Sequence, residues 1–210
     1  MSDRQTRTDG PNTPHGGSPQ DGSGLEARRA AMNIVLRALS ERGSEEAEEA
    51  EEAGLPSGLE PRDRAFVRHL SAETLRRLGQ IRKALARFMT RPPHKGSRLE
   101  ALLSIGACQI LFLGTPAHAA VDSSVRLSTF SRDTARCKGL INAVLRRVAE
   151  ARESLLAEID ESLNTPIWLQ ERWAKSYGAE VAQAIAAAHM VEAPLDITVK
   201  GDASGWAERL

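Results

Sequence analysis

Aromatic residues supply only 4% of the 210 positions, and Leu, Ala, Arg and Glu fill the space they leave, a balance that leans toward helix rather than sheet. Cysteine is almost missing. Cys108 and Cys137 both fall inside apolar helical patterns without a C-x-x-C pair or a Cys/His cluster, so neither a metal site nor a dithiol redox motif is expected. A reducing cytoplasm suits such a chain. No apolar run approaches the roughly 20 residues of a membrane-spanning helix. The polar start MSDRQTRTDGPNTPHGGSPQDGSG has none of the apolar stretch of a secretory signal. Net charge is the last absence, with 28 basic residues against 28 acidic ones, and it misleads.

The balance is made of blocks. Residues 62–152 hold 18 Lys and Arg against 6 Asp and Glu, an excess of 12, whereas residues 41–61 hold 1 against 8 and residues 153–210 hold 4 against 10. Solubility does not require one sign over so long a stretch. The asymmetry predicts a polyanionic partner, nucleic acid first, for the middle of the chain.

With 41% apolar residues there is enough to bury a real core. Residues 1–24 are rich in Gly, Pro, Ser and Asp and read as a disordered tail. From Leu25 the periodicity of Met32, Val35, Leu36 and Leu39 predicts a first helix, and residues 41–61 read as an acidic solvated loop. Phe66, Val67, Leu70, Leu75 and Leu78 continue at helical spacing, then Ile81, Leu85 and Phe88, with a bend or break at Gly79. Ser97 and Glu100 form a capping-box pattern before Leu99, Leu103, Gly106 and Ile110, where Gly106 implies a close helix neighbour. Thr115–Pro116 and Thr165–Pro166 each read as a helix start. The stretch CKGLINAVLRRVAEAR, residues 137–152, puts Cys137, Leu140, Ile141, Val144, Leu145 and Val148 on one face, with Asp133 as its expected cap. Six or seven helices over residues 25–163 make an all-α bundle. Only the alternation of Leu195, Ile197 and Val199 suggests a strand, which implies the start of a further domain.

Three pieces in order, RDRAFVRHLSAETLRRLG, LLSIGACQILFLGTPAHAAVDSSVRLS and KGLINAVLRRV, resemble the NusB-like RNA-binding domain, in the form that stands at the front of the RsmB (Sun/Fmu) ribosomal RNA cytosine-5 methyltransferases. LNTPIWLQERWAKSYG followed by APLDITVKGD resembles the linker toward the methyltransferase domain of that family. The resemblance implies a NusB-like helical domain over 25–163, and over 164–210 linker helices with the beginning of the pre-catalytic methyltransferase subdomain. It also implies ribosomal RNA and a downstream methyltransferase domain as partners. The family's catalytic half would bring a Gly-rich strand–turn–helix for S-adenosylmethionine and a cysteine preceded by proline. Neither pattern occurs here, since Cys108 follows Ala107 and Cys137 follows Arg136. No catalytic residue, and no cofactor, is therefore expected in these 210 residues, and S-adenosylmethionine is expected only for the domain beyond them.

The RNA-contact candidates are Arg28 and Arg29 on the first helix, Arg64, Arg68, Arg76 and Arg77 on the second, and Lys138, Arg146 and Arg147 late in the bundle. Arginine grips phosphate bidentately and stacks on exposed bases, which suits folded RNA with single-stranded loops; the alternative is helix-surface ion pairs. Asn142 is unfavourable in a helix interior and needs compensation. Holding a neighbouring loop by side-chain hydrogen bonds is the preferred explanation, and facing RNA is the other. His118 reads as a surface or packing residue, and Trp168 and Trp173 as packing toward the next domain. Two other functions stay open: a NusB-type transcription antitermination factor, and a structural module that binds protein and never touches RNA.

Overall fold

The computed structural model describes residues 19–40, 56, 58–192, 198 and 200, with the side chains of residues 19–23 excepted. Among the described residues there are ten α-helices and no strand. They are α1 (Pro19–Leu39), α2 (Pro61–Arg76), α3 (Leu78–Ala86), α4 (Arg98–Leu111), α5 (Ala117–Ser128), α6 (Arg132–Arg136), α7 (Lys138–Glu150), α8 (Arg152–Glu158), α9 (Ile167–Tyr177) and α10 (Ala179–Ala188), with a 3-10 turn at Glu161–Asn164. None of these helices is long and apolar enough to cross a membrane.

The bundle is organised around α4, in which every residue from Glu100 to Leu111 is buried. A helix apolar on all sides has to be enclosed, and α4 packs against α1, α2, α3, α5, α6, α7 and α8. Its small residues allow this. A Cβ on Gly106 would come within 2.7 Å of both Leu145 Cδ1 and Ser124 Oγ, so glycine lets α5 and α7 close on α4 there. Ser97 caps α4 by accepting from Glu100 N at 3.3 Å, while the Glu100 carboxylate accepts from Gly96 N at 2.7 Å, one residue before the cap. The capping box is thus displaced, and the buried Glu100 also holds Arg82 at 2.7 Å.

Several sequence expectations shift. The first helix starts at Pro19, so residues 19–24 leave the expected tail; proline is suited to a first helical turn, and the Gly24 carbonyl accepts from Arg28 at 2.9 Å. The break between α2 and α3 falls at Arg77, not Gly79. Gly79 instead admits a close approach, because a Cβ there would collide with the Leu163 carbonyl. Asp133 does not cap the 137–152 helix: it lies in the first turn of the separate α6, and α7 begins after Cys137. That junction also turns Leu140 outward, 42% exposed, while Ile141, Val144, Leu145 and Val148 are buried as their spacing predicts. The expected strand at 195–199, the tail up to residue 18 and most of the acidic loop lie outside the described residues.

Beyond the bundle, α9 and α10 pack on each other. Their attachment runs through Asn164, whose Oδ1 accepts from Gln80 N at 3.0 Å and whose Nδ2 donates to Gln80 Oε1 at 2.9 Å. Gln80 also donates to the Ile159 carbonyl at 3.3 Å. Ile167, Trp168, Tyr177, Val181 and Val191 remain exposed on this hairpin, and Trp173 meets His189 edge-on at 5.3 Å.

Candidate nucleic-acid interface

The nine cationic candidates divide by what surrounds them. Arg28 is half-buried: its Nε donates to Gln109 Oε1 at 2.7 Å, and its guanidinium lies 5.1 Å from the Phe66 ring centroid. Burial lowers its pKa from the ordinary value, the mark of a guanidinium taken out of water. Arg76 and Arg77 both engage Glu73, Arg77 through Nε at 2.9 Å. Arg77 further stacks 4.7 Å from the Phe112 ring centroid and stands 3.9 Å from Glu161. Arg28 and Arg77 thus tie separate elements together, while Arg76 is held by Glu73 of its own helix. Arg29 is intermediate, paired with Glu26 at 3.5 Å and lying 5.0 Å from the Phe130 ring centroid.

Arg64, Arg68, Lys138, Arg146 and Arg147 are exposed, and their side chains have no ion pair or hydrogen bond among the described residues. They form two groups. Arg64 and Arg68 sit one turn apart on α2, which packs on α1 and α4. Lys138, Arg146 and Arg147 belong to α7, which packs on α5 and α4, with Lys138 and Arg146 separated by about 12 Å of helix. Expected from the sequence as one cluster, they lie on two helices that both pack on α4.

The packing instead assembles a cleft that the sequence reading misses. Arg29, Met32 and Asn33 of α1, Arg98 at the start of α4, Leu127 of α5, Phe130 and Ser131 after it, and Arg132 and Asp133 of α6 line a concavity of about 500 Å³. Arg132 is exposed and without a partner among the described residues, and Phe130 is 50% exposed. Guanidinium groups beside a half-exposed ring suit a phosphate chain with unpaired bases. Phe130 as an apolar residue within STFSRD, unable to belong to a helix face, was the signal available in the sequence.

A second cleft, about 450 Å³, lies between α5 and α7, lined by His118, Val121, Asp122, Val125, Asn142, Arg146 and Glu150 among others. Asn142 makes no side-chain hydrogen bond among the described residues, so it does not hold a loop as preferred from the sequence; its amide opens on this cleft. His118 is an exposed residue of the same rim.

Comparison with known proteins follows the same outline: the model of the NusB family matches residues 25–150. The chain belongs to the NusB family. Its relatives are longer. This NusB-family chain is 35% identical over 164 residues to a ribosomal RNA small subunit methyltransferase B of Xanthomonas campestris pv. campestris, covering 78% of the chain and 36% of the relative. It is 32% identical over 197 residues to the protein of the same name from Xylella fastidiosa, covering 89% and 43%. In Serratia proteamaculans the figures are 34% over 135 residues, 62% and 31%. The chain thus spans less than half the length of these relatives.

In the NusB-family chain the Cys108 thiol is fully buried, and that burial pushes its pKa up to about 12. A nucleophilic cysteine needs access and an accessible thiolate. Cys137 is half-buried at the α6–α7 junction.

Proposed function

We propose that this chain is an RNA-binding module that positions small-subunit ribosomal RNA for a cytosine-5 methyltransferase domain lying outside these 210 residues. The observation that carries the reading is the set of outward cations on α2, α6 and α7 that find no carboxylate among the described residues, in a segment where 18 basic residues stand against 6 acidic ones. Cations without internal partners raise the local potential and attract phosphate. The name of the relatives, ribosomal RNA small subunit methyltransferase B, supports ribosomal RNA as the polyanion and methyl transfer, with S-adenosylmethionine, as the work of the other domain. The module's part is to bind and orient, and it transfers no methyl group by itself.

The experiment is a salt titration of the chain on a labelled small-subunit ribosomal RNA fragment. Affinity should fall steeply between 50 and 200 mM salt, with log affinity declining by roughly 0.7 per log unit of salt for each single-stranded phosphate contacted. No binding at low salt, or binding indifferent to salt, defeats the proposal. A protein-interaction role is favoured by one observation, the exposed Ile167, Trp168 and Tyr177 of α9. It fits alongside RNA binding, as the contact surface toward the methyltransferase domain. As the sole function it requires charge reversal at Arg146 and Arg147 to leave RNA binding unchanged.

A further inference from the structure

Asn33 stands in the interior of α1 with 7% of its surface exposed, and its side chain makes no hydrogen bond to any described residue. That position is costly twice over: asparagine disfavours helix interiors, and a buried amide wants partners for two donors and two acceptor lone pairs. Nothing in the packing requires it, since the neighbouring Met32, Val35 and Leu36 are apolar core residues. The amide lines the cleft formed with Arg29, Arg98, Phe130, Arg132 and Asp133. Its oxygen and nitrogen are not closed off, Ser104 Oγ being the enclosed unpartnered side-chain atom among the described residues; they open on the cleft, where a ligand would take the place of water as their partner.

The rest of the cleft specifies the ligand. Its volume of about 500 Å³ lies within the range, roughly 300–1,000 Å³, of sites that enclose small molecules. Phe130 offers an aromatic surface, one side of which is met by Arg29, and stacking on such a ring accepts any base. Arg132 is exposed and without a carboxylate, a phosphate ligand at the mouth. Asp133 is the one carboxylate among the described lining residues, an acceptor for a ribose hydroxyl. Asparagine pairs bidentately with adenine, whose amino group donates while the adjacent ring nitrogen accepts, and an unpaired cytosine offers the same pair of groups where uracil does not.

We propose that this cleft seats one unpaired nucleotide of an RNA chain whose base carries an amino group, adenine or cytosine, with the base on Phe130, its phosphate on Arg132 and its edge read by Asn33. The inference rests on the RNA-binding reading above and adds base selectivity to it.

The test is fluorescence anisotropy of the full chain with end-labelled octamers rA8, rU8 and rC8 at 50 mM salt. Wild type should prefer rA8 and rC8 over rU8 about tenfold, the scale of one bidentate base contact. Asn33→Leu should erase that preference while leaving rU8 affinity within about twofold, because only base reading is removed. Phe130→Ala should weaken all three by roughly tenfold. If circular dichroism shows that Asn33→Leu does not fold, Asn33→Asp keeps the volume and decides instead. A carboxylate accepts from the amino group but cannot donate to the ring nitrogen, so the preference over rU8 should narrow. Salt-dependent RNA binding without base preference, or preference unchanged in the folded Asn33 variant, overturns the nucleotide site and leaves the RNA-binding reading standing. No binding of any octamer or ribosomal fragment overturns both.

Discussion

Arginines at the two ends of α2 have opposite fates. Arg64 and Arg68 stand in solvent with no partner among the described residues, whereas Arg76 and Arg77, two turns further on, are tied to Glu73 and partly enclosed. The residue type and the helix are the same, so the difference lies in what closes over each end. Around Arg77 the chain brings Phe112 from the end of α4 and Glu161 from the 3-10 turn, and a guanidinium removed from water must find partners. Around Arg64 nothing closes among the described residues. The basic excess of residues 62–152 is therefore two populations, one that braces the bundle and one that faces outward. Arg152, donating to the Ile110 and Leu111 carbonyls at 2.9 and 3.3 Å, joins the first by satisfying the C-terminal end of α4.

Removing a bracing arginine should hurt folding most. Arg77→Ala leaves Glu73 with a single partner and uncovers Phe112, and is expected to cost about 2–3 kcal/mol of unfolding free energy, read from urea denaturation. Arg28→Ala comes next, at about 1–2 kcal/mol, because Gln109, fully buried, loses the donor to its carbonyl oxygen. Arg28→Lys should recover only part of this, since an ammonium cannot reproduce the guanidinium fork between Gln109 and the Gly24 carbonyl. If either alanine variant unfolds with the wild-type midpoint, the division into two populations fails on its structural side.

The outward population should behave in reverse. Arg146→Glu with Arg147→Glu is expected to change unfolding free energy by less than about 0.5 kcal/mol. The pair should nevertheless weaken binding to ribosomal RNA about tenfold and reduce the salt slope by roughly 1.4, the loss of two single-strand phosphate contacts. Reversal at Arg64 and Arg68 sharpens the picture. An equal loss assigns the RNA path to both helices, and no loss confines it to α6 and α7.

Much of the fold was legible because it follows from periodicity. Ile141, Val144, Leu145 and Val148 announce a buried face three and four residues apart, and that face is buried. The glycine in α4 announced a close neighbour, and Leu145 and Ser124 are there. Breaks were harder. The α2–α3 break falls at Arg77 and the α6–α7 junction at Cys137, and each has its nearest glycine two residues further on. The site was least legible, since whether an arginine is a brace or a ligand depends on residues far away in sequence: Gln109 for Arg28, Phe112 and Glu161 for Arg77. Asn33, inside an apolar periodic stretch, gave no sequence signal as a site, because its interest lies in the partner it lacks.

The smallest expected effect tests the bracing population from the acid side. Burial acts to raise the pKa of Glu73, but hydrogen bonds from Arg77 and Arg76 and their positive charge outweigh it, holding the carboxyl below its ordinary value of 4.5. The folded state then favours the carboxylate more than the unfolded chain does. The resulting stabilisation is complete above pH 4.5 and is lost as pH falls through the depressed folded value. Glu73→Gln lacks that titration. Its deficit relative to wild type should be constant from pH 7 down to pH 5 and should narrow on further acidification, measured by urea unfolding at each pH. A deficit that stays constant down to pH 3 means that Glu73 is not the carboxylate bracing Arg76 and Arg77, and the contrast between the two ends of α2 loses its electrostatic basis.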